Sequence, residues 1–303
     1  MFTLAHLTDL HLGPLPAGSW YDYVGKRMIG AISWHRRRRF VHKPAVSLAM
    51  AADIRAAAPD HVALTGDLVN IALPDEFAFA AKWLKELGPP DWITVVPGNH
   101  DAYVHFPWES GAGLWADYMI GDMTVPGARQ TGNIAAIFPF VRQRKNIALI
   151  GASSAVPQAY NRAGGRLGSL QIAHIGEILR DLRTRGFYRT LLIHHPPLPG
   201  LAPQRRALED AAALEDVLEA EGAELVLHGH NHRLSHETLV SRHGPVNIMG
   251  LPSASTPLKH SDDAAAWSLY RIERDKGVWR TTAITKSWDE TTSGFVEHSR
   301  LEF

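Results

Sequence analysis

The stretch VVPGNHDAYV, residues 95–104, places an Asn, a His and an Asp directly behind a glycine. The β-favouring residues Thr94, Val95 and Val96 lead into it and predict a buried strand that ends here. Gly and Asn tolerate the dihedral angles of a turn, so a turn is one interpretation of the polar side chains. A site is the other, because α/β folds bind ligands beyond the carboxyl ends of their strands.

Five strand-like segments of the chain end in side chains that can bind metal ions. An Asp or Asn behind a strand is most often a turn residue, so one such ending carries little weight. Five together are hard to explain as turns, and a glycine in three of them lets the backbone approach closely. The endings are Asp9 to His11, Gly66-Asp67 with Asn70, Gly98 to Asp101, His194-His195 and Gly229 to His232.

Strand and helix patterns alternate along the first two-thirds of the chain, and strand-like runs without helices follow from about residue 233. This order predicts an α/β fold in which two sheets pack together with helices outside them. Because the candidate site residues run from 9 to 232, we expect one domain over 1–303. Strands are predicted over 2–8, 61–67, 92–98, 147–154, 189–195 and 224–230, and helices over 44–58, 74–88, 169–185 and 208–221.

The composition excludes several classes of protein and of site. The chain has 303 residues, 45% of them hydrophobic, which is enough for a sizeable core. It has no cysteine, so disulfides and thiolate metal sites are excluded. No run approaches the roughly 18 apolar residues of a membrane span. The first residues lack the pattern of a signal peptide, so the expected location is the cytoplasm.

The positive charge of the chain is concentrated in one segment. Lys+Arg and Asp+Glu both total 31, yet residues 23–52 hold seven cations and no acid. The remaining residues therefore carry 24 cations and 31 anions. A basic patch on a mildly acidic body indicates a specific anionic partner.

The donor types at the strand ends predict a two-metal phosphoester site. Two divalent ions about 3.5–4 Å apart can clamp a phosphoryl group during in-line attack. Carboxylate, carboxamide and imidazole ligands without thiolate suit manganese, iron or zinc, of which manganese is the expected metal. Two carboxylates against two dications leave the site net positive, which favours an anionic phosphodiester substrate.

The ordered motifs DLH, GD, GNHD, H and GHNH resemble the calcineurin-like metallophosphoesterases over residues 2 to about 250. The resemblance implies a four-layer αββα sandwich of two mixed sheets flanked by helices, with a dinuclear metal centre. It implies that Asp67 bridges the two metals and that His100 contacts the phosphate and supports the leaving oxygen, oriented by Asp101. The remaining ligands implied are Asp9, His11 and His232 for one metal and Asn99, His194 and His230 for the other. His194 is preferred to His195 because it directly follows the apolar run LLI.

Four other features are expected to be structural. Asn70 is interpreted as a hydrogen-bonding residue near the site, and Gly164-Gly165 as a loop. His243 and His260 are interpreted as ordinary surface or loop residues.

An insertion at about 14–43 mixes the basic residues with aromatic ones and bears on the substrate. Trp and Tyr favour the water–lipid interface, and clustered cations attract anionic lipid. The stretch YVGKRMIGAISWHRRRR would form a short helix on an anionic membrane surface. The patch consists of Trp20, Tyr21, Tyr23, Trp34 and Arg36 to Arg39.

Four functions fit the sequence. The first is a phosphodiesterase at the inner face of the membrane that cleaves a glycerophospholipid headgroup as a phospholipase C does, since the chain is similar to lipid-remodelling bacterial members of the family in size and insertion. The second is a soluble cyclic-nucleotide phosphodiesterase, in which the insertion is a lid or a homodimer contact. The third is a nuclease, because aromatic and basic residues also suit nucleic acid, but a separate nucleic-acid domain is missing. The fourth is a catalytically silent scaffold, which the complete ligand set disfavours.

Overall fold

The computed structural model describes residues 1–127, 137–257 and 263–303. The interpretation of His260 lies outside these residues, whereas His243 is exposed in a loop as expected. Within the described ranges, no helix is both long enough and apolar enough to cross a bilayer.

The first sheet joins the beginning of the chain to its end. Three N-terminal strands run parallel, and β1 also pairs antiparallel with β10, after which β11 and β12 continue the sheet. The last three strands of the β-rich C-terminal part therefore complete the sheet that the first residues begin. The strands are β1 (Phe2–Leu7), β2 (His61–Leu64), β3 (Ile93–Val95), β10 (Ala266–Asp275), β11 (Val278–Asp289) and β12 (Gly294–Glu302).

The second sheet is also mixed and has the order β4-β5-β6-β7-β9-β8. Its central strands are parallel, and β4 and β8 pair antiparallel at the two edges. The strands predicted from the sequence do not include β4. The strands are β4 (Phe140–Arg144), β5 (Ile147–Gly151), β6 (Tyr188–Leu192), β7 (Leu225–His228), β8 (Ser235–Ser241) and β9 (Gly244–Gly250).

Helices cover the outer faces of the two sheets. In β5, Ile147 and Leu149 belong to the core between the sheets, whereas Ala148 and Ile150 pack in a second core with the outer helices, as alternation along a strand requires. The structure confirms the predicted sandwich of two mixed sheets with helices. Four helices form the outer layers: α3 (Pro44–Ala57) and α4 (Pro74–Leu87) on the first sheet, α5 (Ser169–Thr184) and α6 (Ala211–Glu221) on the second.

The insertion folds as a helical segment, which we call the insertion helix. It consists of α1 (Lys26–Ser33), a π-helical turn (Trp34–Arg38) and α2 (Arg39–Val41), and a 3₁₀ turn (Trp20–Tyr23) precedes it. The predicted helix over this stretch is therefore present, and a π turn interrupts it just before its end. Such turns are frequent at functional sites.

Trp34 does not belong to the surface patch in which the sequence placed it. Its side chain is 3% exposed and stacks parallel to the buried His42 ring, with 6.4 Å between the ring centroids. A Cβ at Gly13 would lie 2.7 Å from its indole ring, so the glycine makes room for it. The large apolar area of the indole is thus buried in the protein, where it anchors the insertion helix. Tyr23 is half-buried, and its hydroxyl donates to the carbonyl of Pro16 at 2.9 Å.

Candidate metal centre

The loops that follow the strands meet where the two sheets face each other. The N–H of Asp9, after β1, donates to the carbonyl of Gly66, after β2, at 3.0 Å. Across the sandwich, the N–H of His230, after β7, donates to the Asp9 carboxylate at 2.9 Å. In each sheet, the parallel strands bring their carboxyl ends to one edge. The loops at this edge of the two sheets together form the site.

Five of the seven predicted metal ligands hold a left-handed backbone conformation, which non-glycine residues rarely adopt. Such strain persists where the surrounding structure over-determines it, and it clusters at functional sites. Here it turns successive polar side chains toward one point. The φ angles are 54° at Asp9, 44° at His11, 56° at Asp67, 68° at His230 and 54° at His232.

The first group of ligand atoms comes from the loops after β1 and β7. Nε2 of His232 lies 3.1 Å from Oδ1 of Asp9 and 3.3 Å from Nε2 of His11. The ligand atoms of these three residues all lie within 4.8 Å of one another. Asp9 and His11 are buried, so an ion held between them would be shielded from water.

The second group centres on Asn99. Its Oδ1 lies 3.1 Å from Nε2 of His194 and 2.8 Å from Nδ1 of His230. Asp67 stands between the two groups, with Oδ2 3.7 Å from Nε2 of His11 and 3.5 Å from Nε2 of His194. One carboxylate oxygen therefore faces both groups, as the predicted bridging role requires.

These donors fit divalent metal ions. Two buried carboxylates and four imidazoles converge without a thiolate, which is a ligand set for manganese, iron or zinc. Burial alone lowers the pKa of His194, but Asp67 and Asp9 outweigh it and raise that pKa to about 9. The buried carboxylates thus stabilise positive charge in the site. Bound metal ions would supply this charge in place of protons.

The structure distinguishes the two adjacent histidines His194 and His195. Both ring nitrogens of His195 face protein atoms, with Nδ1 2.7 Å from Oγ of Ser154 and Nε2 3.1 Å from the carbonyl of Ala163. Burial and the charge of His194 lower the pKa of His195 to about 3, so its ring is neutral. Nε2 of His194 faces the ligand cluster instead, which supports His194 as the ligand.

Asp101 does not orient His100 as predicted. Its carboxylate accepts four backbone N–H groups at 2.8–3.1 Å, those of Gly98 and of Asp67, Leu68 and Val69 in the loop after β2. Burial and the charge of Asp67 raise its pKa to about 7, and the N–H groups of Gly98 and Val69 oppose that rise. Asp101 therefore positions the loop that carries the bridging Asp67.

His100 is oriented by a backbone carbonyl. Its Nδ1 hydrogen-bonds to the carbonyl of Asn70, which leaves Nε2 for the cleft. The Asn70 side chain donates to the carbonyl of Leu12 at 2.7 Å, in the hydrogen-bonding role expected for it. The N–H of His100 donates to Oδ1 of Asp67 at 2.7 Å, so the ring is tied to the bridging carboxylate through its own backbone.

Sequence reasoning missed Arg38 as a site residue. Its Nη2 lies 2.9 Å from Nδ1 of His11 and its Nη1 lies 3.4 Å from Nδ1 of His100. The other arginines of the run, Arg36, Arg37 and Arg39, are exposed. The spacing of the sequence could have indicated Arg38, because it follows Trp34 by four residues. Residues at this spacing share one face of a helix, and Trp34 is buried.

A cleft of about 480 Å³ opens over the two ligand groups. One wall is the insertion helix, and the other is formed by residues 156–163 and 205–206. The residues that line the cleft include one acidic residue, Asp67, and five basic residues. The cleft therefore suits an anionic substrate. The cations are Lys26, Arg38, Arg162, Arg205 and Arg206.

We expect Gly66→Ala to lower the free energy of unfolding by about 3 kcal/mol and to lower the metal content. Gly66 has a φ of 93°, and a Cβ there would lie 2.8 Å from Nδ1 of His194 and against the backbone of Gly98. The unfavourable φ costs about 1 kcal/mol and the overpacking costs about 2 kcal/mol more. Urea denaturation and metal analysis measure the two effects.

Gly200→Ala is the matched control for Gly66→Ala. Gly200 has a φ of 82°, and a Cβ there would meet no atom within 4 Å. It shares the backbone penalty of about 1 kcal/mol without the clash. Equal losses of stability and equal metal contents in the two variants would contradict a role for the close approach at Gly66.

Comparison with known proteins gave a family and a curated relative. The model of a family described as calcineurin-like phosphoesterase matches residues 2–234. A probable cyclic nucleotide phosphodiesterase of Synechococcus sp. is 23% identical over 294 residues, which cover 96% of this chain and 94% of that protein.

Solved structures share the fold at low sequence identity. A dimetal phosphatase from Danio rerio superimposes with a TM-score of 0.63 at 13% identity, over 99% of this chain and 98% of that one. A purple acid phosphatase from yellow lupin seeds gives a TM-score of 0.58 at 10% identity, over 99% of this chain and 53% of that one.

Proposed function

Because the chain belongs to the calcineurin-like phosphoesterase family and is a metal-dependent phosphoesterase, we propose that it hydrolyses a glycerophospholipid headgroup phosphodiester at a membrane surface. The observation that carries this proposal is an exposed apolar and cationic face of the insertion at the mouth of the cleft. The reaction proposed is that of a phospholipase C.

We propose manganese as the metal of both positions. Asp9, His11 and His232 would hold one ion, Asn99, His194 and His230 the other, and Asp67 would lie between them. Bound divalent ions would supply Lewis-acid activation of the phosphodiester and of the attacking water. Iron and zinc suit the same nitrogen and oxygen donors, so metal analysis of the purified protein decides among the three.

His100 is the proposed catalytic acid. The carbonyl of Asn70 accepts from Nδ1, so action as an acid requires a second proton, on Nε2. Burial and the charge of Arg38 lower the pKa of His100 to about 4, and we propose that the bound phosphodiester anion raises it again so that Nε2 carries the transferred proton. Donation from Nε2 to the leaving oxygen neutralises the alkoxide as the P–O bond breaks. The same atom would contact the phosphate before bond cleavage.

The amphipathic face of the insertion combines apolar side chains with arginines. Seven large apolar residues here are 45% to 82% exposed, and the exposed Arg36, Arg37 and Arg39 lie in the same segment. Isolated exposed apolar residues are ordinary, but seven within 21 residues indicate an interaction surface. The seven are Trp20, Tyr21, Val24, Met28, Ile29, Ile32 and Phe40.

This amphipathic face adjoins the cleft. Ile29 is half exposed and also lines the cleft, and Tyr160, 61% exposed, lines the opposite wall. A protein that rests on a bilayer by this face would place the cleft at the depth of the lipid phosphates. Insertion of Trp20 and the α1 side chains would add apolar burial to the attraction of the arginines for anionic lipid.

A soluble cyclic-nucleotide phosphodiesterase is the second candidate. The Synechococcus relative that covers 96% of this chain carries that description. The insertion helix would then form a lid over the cleft or a contact between two copies of the chain.

One experiment separates the two candidates. We expect the Mn²⁺-loaded protein to show a higher kcat/KM on vesicles of equal phosphatidylcholine and phosphatidylglycerol than on cyclic AMP, with Asn99→Ala as the blank. The triple variant Arg36→Ala, Arg37→Ala, Arg39→Ala should bind these vesicles about 10²-fold more weakly, since each arginine contributes about 1 kcal/mol near an anionic surface.

The matched control replaces three cations away from the insertion. Arg55, Lys82 and Lys85 are exposed on α3 and α4, and their triple alanine variant should bind vesicles as the parent protein does. A preference for cyclic AMP would move the assignment to the second candidate. Equal vesicle binding by both triple variants would remove the role of the amphipathic face.

A further inference from the structure

The guanidinium of Arg38 occupies the cleft and not the surface. The three neighbouring arginines are exposed, whereas Arg38 follows the buried Trp34 by four residues and points inward through the π-helical turn. Its two terminal nitrogens reach toward His11, in the loop after β1, and His100, in the loop after β3. The insertion therefore delivers a cation to the centre.

Among the described residues, the Arg38 side chain contacts the ring nitrogens of His11 and His100, and neither is a suitable acceptor for its N–H groups. Nδ1 of His11 also lies 3.4 Å from the carbonyl of Val69, and Nδ1 of His100 bonds the carbonyl of Asn70. When each ring uses Nε2 in the site, those carbonyls take the Nδ1 protons. A protonated Nδ1 cannot accept from Arg38.

A carboxylate partner does not replace those acceptors. Among the ion pairs within 4.0 Å in the described part of the chain, none includes Arg38. Burial lowers the pKa of Arg38, and Asp67 and Glu76 oppose this from a longer range. A partly buried guanidinium without a close anion is costly unless a ligand supplies one.

We propose that Arg38 is a further catalytic residue that binds the non-bridging oxygens of the scissile phosphodiester. The planar guanidinium can donate two parallel hydrogen bonds to two phosphate oxygens. It would stabilise the negative charge that accumulates on these oxygens as water attacks the phosphorus. This role rests on the proposed phosphodiester hydrolysis, but not on a lipid substrate.

The test uses a substrate without lipid. On bis(p-nitrophenyl) phosphate, Arg38→Ala in the Mn²⁺-loaded protein should lower kcat/KM by about 10²-fold, the size of effect seen when one oxyanion donor is removed. Arg38→Lys should retain part of the rate, because lysine keeps the positive charge but cannot donate two parallel hydrogen bonds as the guanidinium does. Arg55→Ala, an exposed arginine of α3, is the matched control and should keep the parent rate.

Phosphate affinity distinguishes direct binding by Arg38 from a purely structural role, because a structural role would leave this affinity unchanged. Calorimetric titration with inorganic phosphate should show at least about tenfold weaker binding to Arg38→Ala, with metal content and melting temperature equal to those of the parent. Unchanged phosphate affinity and rate would overturn the proposal, and so would loss of metal or of stability in both Arg38 variants. Failure of the lipid assignment leaves this result intact, since neither probe contains lipid.

Discussion

Asp67→Asn is expected to lower kcat/KM for a phosphodiester by about 10³-fold, or about 4 kcal/mol of transition-state stabilisation. One oxygen of Asp67 faces both ligand groups, at 3.7 Å from Nε2 of His11 and 3.5 Å from Nε2 of His194. Asparagine keeps the shape but removes the negative charge that would lie between two dications. The other oxygen accepts the N–H of His100, so the same substitution also loosens the catalytic histidine.

The measurement is kcat/KM on bis(p-nitrophenyl) phosphate together with the number of metal ions per chain. Asp60→Asn is the matched control, because Asp60 is exposed and pairs with Lys145 at 2.8 Å on the surface. Exposed pairs contribute about 0–1 kcal/mol, so this variant should keep the rate and the metal. Two bound metals and a parent-like rate in Asp67→Asn would contradict the bridging assignment.

His100→Ala is expected to lower kcat by about 10³-fold on a substrate with an alkoxide leaving group, and by about tenfold with p-nitrophenolate. A poor leaving group needs a proton from Nε2, whereas p-nitrophenolate departs without one. The metal content should stay at the parent value, because the imidazole acts on the substrate.

The leaving-group dependence is measured with vesicle lipid and bis(p-nitrophenyl) phosphate on the same preparation. His105→Ala, an exposed histidine five residues farther along the chain, provides the control and should not change either rate. Equal losses on the two substrates would show that His100 binds the phosphate without donating a proton. A loss of metal would make it a supporting residue of the centre.

The candidate metal centre could be predicted from the sequence because the pattern that marks each strand end is local. A short apolar strand, a glycine and a polar residue can be recognised within a few positions, as in residues 95–104. Parallel strands align their carboxyl ends at one edge of the sheet. The loops that follow these strands therefore lie close together, although they are far apart in the sequence. The structure brings Asp9, Asp67 and His194 together with their ligand atoms within 4.8 Å of one another.

The partner of Asp101 could not be read in the same way. The family resemblance implies that the Asp101 carboxylate orients His100, but this carboxylate accepts the N–H groups of the loop after β2 instead. The hydrogen-bond donors of the buried Asp101 carboxylate are set by the path of a loop more than 30 residues away in the sequence. Buried N–H groups need acceptors, and that requirement decided the position of Asp101.

By itself, the sequence determined the two-sheet sandwich, the order of the metal-capable strand ends and the presence of a basic helical insertion. Only the tertiary structure decided which arginine of the run enters the site. Arg36 to Arg39 are identical as residues, and the four-residue spacing from Trp34 singles out Arg38 only once Trp34 is known to be buried. The burial of Trp34 against Gly13 and His42 fixes the rotation of the insertion helix, and this rotation directs Arg38 inward and its neighbours outward. Packing between segments distant in the chain has no local signature, and for that reason the sequence alone could not assign Arg38.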